Sequence, residues 1–256
     1  MLMVPQNSSP ELQKILLRIE TATQASLPVR TALRNVDSVT LLAVSKGQPV
    51  NSIRSVVEAG VRDIGESYLQ EALDKIEQLP GLSITWHFIG RVQANKTRDI
   101  AAHFDWVHGV ERLKIAERLS EQRPFHAPPL NVCLQVNIGH EASKGGVTVA
   151  ELPALAAAVG VLPRLRLRGL MCIPPDEEDP TRQRMWFAAL RRALEDLNAP
   201  GGEFYEATAG AQLDTLSMGM SGDFEAAILE GATLVRIGTA LFGERPRATS
   251  AAQSQL

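Results

Sequence analysis

Val39-Thr-Leu-Leu-Ala-Val-Ser-Lys-Gly-Gln-Pro-Val-Asn-Ser-Ile-Arg-Ser-Val-Val-Glu-Ala-Gly-Val-Arg-Asp-Ile-Gly-Glu66 decides how this chain of 256 residues folds. It opens with an apolar run, 39–46, of the kind that forms a strand buried on both faces. Gly47-Gln-Pro49 breaks that run, and Val50 to Ala59 then carries a helical pattern. Gly60 stands at the position of a helix C-cap, and a second apolar run, 61–66, follows. Strand, helix, strand implies two parallel strands joined by a right-handed crossover.

The same alternation runs on to Gly243. Further strands are expected at 85–90, 106–110, 130–138, 166–173, 214–219 and 234–239. Between them lie helical patterns at Tyr68 to Gln78, Asn95 to Ala102, Glu111 to Gln122, Val149 to Val161, Thr181 to Leu197 and Asp223 to Glu230, the last followed by Gly231 at a C-cap position. Eight such units in about 250 residues match a closed (β/α)8 TIM barrel. A doubly wound open sheet usually carries a glycine-rich phosphate loop after its first strand, and Ser45-Lys-Gly-Gln-Pro49 is no such loop. The expected organisation is an N-terminal helical extension over 1–38 packed on the barrel, a barrel over 39–245, and a disordered polar tail over 246–256. In the extension, Leu12, Ile15, Leu16 and Ile19 share one helical face, and Ser9-Pro10 makes a plausible start.

Composition narrows the class. With 45% hydrophobic and 21% charged residues the chain reads as an ordinary globular protein. A net charge of −3 gives no general attraction to nucleic acid or to an anionic membrane. No run approaches the ~20 apolar residues of a membrane span. The first nine residues lack a secretory pattern. Cys133 and Cys172 each sit inside an apolar run, which suits buried thiols in a reducing cytoplasm. A cytoplasmic, soluble protein is expected.

In a barrel the site is built at the C-terminal strand ends. Lys46 ends the first strand and Ser67 follows the second. Asn137 ends the fifth, Met171 the sixth, Ser217-Met218-Gly219 the seventh and Arg236-Ile-Gly238-Thr239 the eighth. Residues two apart face the same way, so Leu42, Val44 and Lys46 share a face, as do Leu234, Arg236 and Gly238. Lys46 and Arg236 can then both point into the mouth. Lysine is also the usual attachment point for an aldehyde. The loops after strands seven and eight supply Ser217, Ser221, Gly219, Gly222, Gly238 and Thr239, in the two loops where barrels frequently bind phosphate. Lysine plus phosphate leaves two chemistries, a sugar-phosphate aldolase or a pyridoxal 5′-phosphate (PLP) protein. Arg236 favours PLP, because such proteins set an acid or an arginine opposite the pyridine nitrogen.

Specific blocks carry a resemblance. Ala43-Val-Ser-Lys46, Gly65-Glu-Ser-Tyr-Leu-Gln-Glu-Ala72 and Trp86-His-Phe-Ile-Gly-Arg-Val-Gln-Ala-Asn-Lys96 come first. Val136-Asn-Ile138, Lys144-Gly-Gly146, Leu167-Arg-Gly-Leu-Met171, Leu216-Ser-Met-Gly-Met-Ser221 and Val235-Arg-Ile-Gly-Thr-Ala-Leu-Phe-Gly243 follow in order. From about residue 10 to Arg245 the chain resembles the YggS/PROSC family of PLP homeostasis proteins, related to the N-terminal barrel of alanine racemase. The resemblance implies that Lys46 carries PLP covalently as an aldimine and that Arg236 faces the pyridine nitrogen. It further implies that Ser217, Ser221, Gly238 and Thr239 hold the phosphate. Ser67 stands where the family commonly has Asn, and Gly47 where it often has Thr.

Racemisation needs a base on each face of the cofactor, and alanine racemase takes its second from another domain. Only Tyr68 and Tyr205 are available here, and Tyr68 is expected to pack at the rim. The expectation is a non-catalytic protein that holds PLP for vitamin B6 homeostasis and delivers it to apoenzymes, with effects on amino-acid and keto-acid balance. A weak PLP-dependent amino-acid racemase is the alternative. A monomer or weak dimer is expected, with Lys96 a secondary attachment candidate. His87 reads as a satisfied core histidine. Arg164-Leu-Arg-Leu-Arg168 reads as a solvated strand entrance, and Asp176-Glu-Glu-Asp179 as a solvated loop at the mouth.

Overall fold

The computed structural model describes residues 8–32, 38–141 and 143–244. The expected tail over 246–256 lies outside them. In chain order the elements are α1 (Pro10–Ala25), α2 (Leu27–Ala32), β1 (Thr40–Val44), α3 (Val50–Glu58), β2 (Asp63–Glu66), α4 (Leu69–Gln78) and β3 (Thr85–Phe88). A 3₁₀ turn (Ala94–Lys96), α5 (Thr97–His103), β4 (Trp106–Val110), α6 (Leu113–Gln122), β5 (Leu130–Val136), α7 (Leu152–Gly160) and β6 (Leu165–Cys172) come next. The chain continues as α8 (Pro180–Asn198), α9 (Glu203–Ala207), β7 (Thr215–Ser217), α10 (Phe224–Leu229), β8 (Leu234–Ile237) and α11 (Thr239–Phe242).

All eight strands are parallel and close in sequence order, with β8 pairing back onto β1 through Leu42↔Arg236 and Ala43↔Ile237. This is the expected (β/α)8 barrel. The main core is the shell between strands and helices, filled by residues such as Ile53, Ile64, Ile100, Leu119 and Phe187. Gly60 and Gly231 take φ of 92° and 93° just past α3 and α10, in the left-handed region that ends a helix.

Six of the strands stop one or two residues short of the apolar runs that announce them, while β2 and β4 end where expected, at Glu66 and Val110. β1 ends at Val44 because the chain turns away through Gly47, at φ 72°. β7 ends at Ser217, and Gly219 follows at φ 92°. A Cβ on Gly219 would lie 2.7 Å from Ala227 Cβ and 2.9 Å from Phe224 Cα, so both backbone and space require glycine there. The helix expected over 95–102 divides into the 3₁₀ turn and α5. Arg164-Leu-Arg-Leu-Arg168 departs from a solvated entrance at its end. Arg168 ion-pairs with Asp214 at 2.7 Å and lies over the Trp106 ring at 4.8 Å, which buries most of its stem.

α1 starts as its sequence suggests, with Ser9 Oγ accepting from Leu12 N and Pro10 in the first turn. Its buried face is Leu12, Ile15, Ile19 and Ala22, and it packs on α10 and α11. Arg18 forks onto Glu225 at 2.8 and 2.6 Å and covers the Phe224 ring. That bond raises the guanidinium pKa and lowers the carboxylate's. Both partners are well exposed, so the pair is worth under ~1 kcal/mol and the apolar face does most of the anchoring.

Candidate functional site

A cavity of about 320 Å³ opens at the C-terminal ends of the strands, at the small end of the ~300–1,000 Å³ usual for small-molecule sites. β1 and the loop after it contribute Val44, Lys46 and Gln48. Ser67 and Ile89 come from the ends of β2 and β3, and Met171 and Ile173 from the end of β6. Met220, Ser221 and Gly222 come from the loop after β7, and Arg236, Gly238, Thr239 and Gly243 from β8 and beyond. Closure of β8 on β1 sets Arg236 beside Leu42, one strand and a few residues from Lys46.

Arg236 is 5% exposed and held from two sides. Its Nη1 donates to Ser217 O at 2.6 Å and to Ser217 Oγ at 3.0 Å, and its Nη2 donates to Cys172 O at 2.9 Å. Burial draws the guanidinium pKa down, and the partial charges of Cys172 and Asp223 oppose that. Behind Ser217 runs a chain of polar groups through the barrel. Ser217 Oγ lies 2.8 Å from His108 Nδ1, His108 Nε2 lies 2.9 Å from His87 Nδ1, and His87 Nε2 lies 3.0 Å from Asp63 Oδ1. β4 and β7 are not neighbours, so the Ser217–His108 bond crosses the interior.

One direction for that chain runs from the guanidinium to the carboxylate. A guanidinium can only donate and a carboxylate only accepts. In that sense Ser217 donates to His108 Nδ1, a neutral His108 donates from Nε2–H to His87, and His87 Nε2–H donates to Asp63. Burial, with the nearby His87 and Arg236, holds the His108 pKa well below its ordinary 6.5. His87, 1% exposed, is a core histidine whose two ring nitrogens are both bonded.

The loops after β7 and β8 meet where Ala240 N–H reaches Ser221 Oγ at 3.4 Å. Asp223 Oδ1 accepts from Met220 N at 2.6 Å and shapes the first loop, while burial raises that carboxyl's pKa. A Cβ on Gly238 would come within 3.1 Å of Val44 O, so the cavity wall is bare backbone at that point. Hydroxyls (Ser221, Thr239), glycine backbone (Gly222, Gly238), an amine (Lys46) and a guanidinium (Arg236) thus converge on one space. That donor set matches an anionic, phosphorylated aldehyde with a ring acceptor.

Of the residues picked from sequence, Lys46, Ser67, Met171, Ser221, Arg236, Gly238 and Thr239 line this cavity. Three others lie outside its lining. Ser217 is fully buried beneath Arg236. Met218 is fully buried in the outer core, because it points to the opposite face of β7's end. Asn137 braces the loop after β5, donating to Glu141 O and accepting from Glu141 N. Lys96 is exposed and does not line the cavity. Gln48, Ile173 and Met220 were not singled out from sequence. Ile173 was within reach, two residues past Met171 on the same face. So was His108, inward by the alternation of β4. Asp176 and Glu177 line a second cavity of about 320 Å³ beside the first, sharing Ile173, Met220 and Gly222 with it. Cys133 and Cys172 are free and buried, with thiol pKa values pushed up to about 12 by burial.

Residues 29–246 match the alanine racemase N-terminal domain family. The chain is 56% identical over 234 residues to a pyridoxal phosphate homeostasis protein of Pseudomonas aeruginosa, covering 91% of this chain and 94% of that one. It is 50% identical over 215 residues to the protein of that name in Escherichia coli K12, covering 83% and 88%. Among solved structures it resembles PipY of Synechococcus elongatus with PLP bound, at 35% identity and a TM-score of 0.71, covering 85% of this chain and 99% of that one. An alanine racemase from Corynebacterium glutamicum shares the fold at 17% identity and a TM-score of 0.60, covering 90% of this chain and 63% of that one.

Proposed function

This chain belongs to the pyridoxal phosphate homeostasis proteins, whose barrel is that of the alanine racemase N-terminal domain, and we propose that it holds PLP reversibly through Lys46 and hands it on without using it for turnover. The observation that carries the reading is the convergence of Lys46, Arg236, Ser221, Gly238 and Thr239 on one cavity. Bound PLP would bring an aldehyde to Lys46, whose amine would supply the nitrogen of a C=N bond with the carbonyl oxygen lost as water. Arg236, which only donates, would face the ring nitrogen and keep it unprotonated, which would make PLP a weak electron sink. Ser221 and Thr239, with Gly222 and Gly238 backbone, would hold the phosphate, while Ser67 and Met171 would flank the ring.

The non-catalytic part of the reading rests on the second base. Tyr68 is 59% exposed and is not among the cavity's lining residues. Tyr205 packs beside Gly210, away from the strand ends. Acid–base catalysis on both faces of a bound amino acid lacks one of its groups. An open aldehyde site suits a carrier that passes PLP to apoenzymes in the cytoplasm as a monomer or weak dimer. Two assays test this with PLP-loaded protein. The first is incubation with L- and D-alanine and serine, where racemisation should not exceed that of free PLP. The second is activation of a PLP-dependent apoenzyme, which should proceed from the loaded protein. Turnover far above free PLP would make it a racemase instead.

A further inference from the structure

The backbone on both sides of Lys46 is tied to one charged cluster outside the cavity. Ser45 Oγ donates to Glu66 Oε1 at 2.6 Å, and Ser45 O accepts from Lys75 Nζ at 2.7 Å. Beyond Lys46, the Gly47 amide donates to Glu71 Oε1 at 2.5 Å. Lys75 Nζ joins the two acids, at 2.6 Å from Glu66 Oε1 and 2.5 Å from Glu71 Oε1. Its three N–H donors are thereby matched to three acceptors, each on or next to the Lys46 turn. The side chains of Glu66 and Lys75 are 0% and 6% exposed, and Glu71 is 30% exposed. None of the three lines the cavity.

Stability alone is a weak reason for this arrangement. Burying such charges costs several kcal/mol per ion, and apolar residues of the same volume often serve a fold as well or better. Glu66 Oε2 is moreover buried with no hydrogen-bond partner. What the cluster does achieve is local. It fixes the carbonyl and hydroxyl of the residue before Lys46 and the amide of the residue after it. Gly47, at φ 72°, is the third residue of a turn closed by Gln48 N–H donating to Ser45 O at 2.9 Å, and the cluster anchors that same turn to α4.

We propose that Glu66, Lys75 and Glu71 are positioning residues that fix the direction in which Lys46 enters the cavity, and so set the affinity of the site for a phosphorylated aldehyde. The cluster acts through the lysine's backbone and never touches the ligand. This rests on the reading of Lys46 as the attachment point.

The test compares two ligands on full-length protein. PLP can form the C=N bond, whereas pyridoxine 5′-phosphate, its alcohol analogue, cannot. Both are titrated against wild type, Lys46→Ala, Glu71→Ala, Glu71→Gln and Lys75→Met. Glu71→Ala should weaken PLP binding by about tenfold, as expected for loss of one charge-assisted hydrogen bond. Its affinity for pyridoxine 5′-phosphate should stay within about twofold of wild type. Glu71→Gln keeps an acceptor for the Gly47 amide and should recover most of the PLP affinity, while Lys75→Met should lose at least as much as Glu71→Ala. Wild-type PLP affinity in Glu71→Ala, or equal losses for both ligands, overturns the clamp. A PLP complex whose visible band survives in Lys46→Ala brings down the attachment reading itself, and the clamp with it. A wild type that binds both ligands equally does the same.

Discussion

Arg236 shows how a buried cation can be aimed. With Ser217 and Cys172 taking its donors on two sides, the guanidinium keeps one orientation, and the side that lines the cavity is left for a ligand. The Ser217 hydroxyl works as a donor-acceptor joint because His108 is neutral. Replacing His108 with leucine removes the buried partner of the Ser217 hydroxyl proton and of a His87 nitrogen, while Ser217 Oγ still accepts from Arg236. At ~1–3 kcal/mol each, chemical denaturation near pH 7.5 should show about 2–4 kcal/mol lost. The acid side supplies a second readout. The His108 pKa is depressed by folding, so its contribution is fully present above the unfolded value and fades as pH falls. Below about pH 6.5 the unfolded chain takes up a proton that the native interior refuses, so wild-type stability should fall by up to ~1.4 kcal/mol per pH unit. The His108→Leu protein should lack that component, and equal acid slopes in the two proteins would contradict it. From sequence, Lys46 and Arg236 were legible because a charged residue ending an apolar run is unusual. Ser217 and Asn137 were legible only as strand-end positions, and alternation alone does not separate a ligand contact from a brace one layer below it.

At the scale of elements, the eight strands were readable because they are short apolar runs alternating with helical patterns, most with a glycine or proline marking at least one boundary. The C-terminal bounds of β2 and β4 were readable too, but those of the other six were not, since the last one or two residues of those runs leave the ladder at the mouth. α9 and α11 escaped notice because five and four residues span barely more than one turn, too short for a helical period to appear. The ends of β2 and β3 give a prediction of their own. A Cβ on Gly90 would fall 2.2 Å from Ser67 O and 2.9 Å from Ser67 C. Gly90→Ala must therefore push the ends of the two strands apart at Ser67, on the cavity wall. A cost of about 1–3 kcal/mol in thermal or denaturant unfolding should accompany weaker PLP binding. An alanine variant with wild-type affinity and melting temperature would show that the two loops yield freely.

For the whole molecule, barrel closure does what no local pattern can. Lys46 and Arg236 stand 190 residues apart in sequence (236 − 46), and only the pairing of the first strand with the last makes them neighbours. The alternation of strand and helix implied that closure, which is why the cavity could be anticipated before any coordinate. The charged cluster behind Lys46 could not be. Lys75 and Glu71 have the i,i+4 spacing of an ordinary pair on a helix surface, and only the docking of α4 against the β1 turn buries the lysine. The central claim is that Lys46 carries the cofactor. Borohydride reduction of PLP-loaded protein, followed by peptide mass spectrometry, addresses it most directly. The expected result is one phosphopyridoxyl group on the peptide containing Lys46 and none in Lys46→Ala. A label on Lys96 or another lysine, with Lys46 unmodified, would contradict the account.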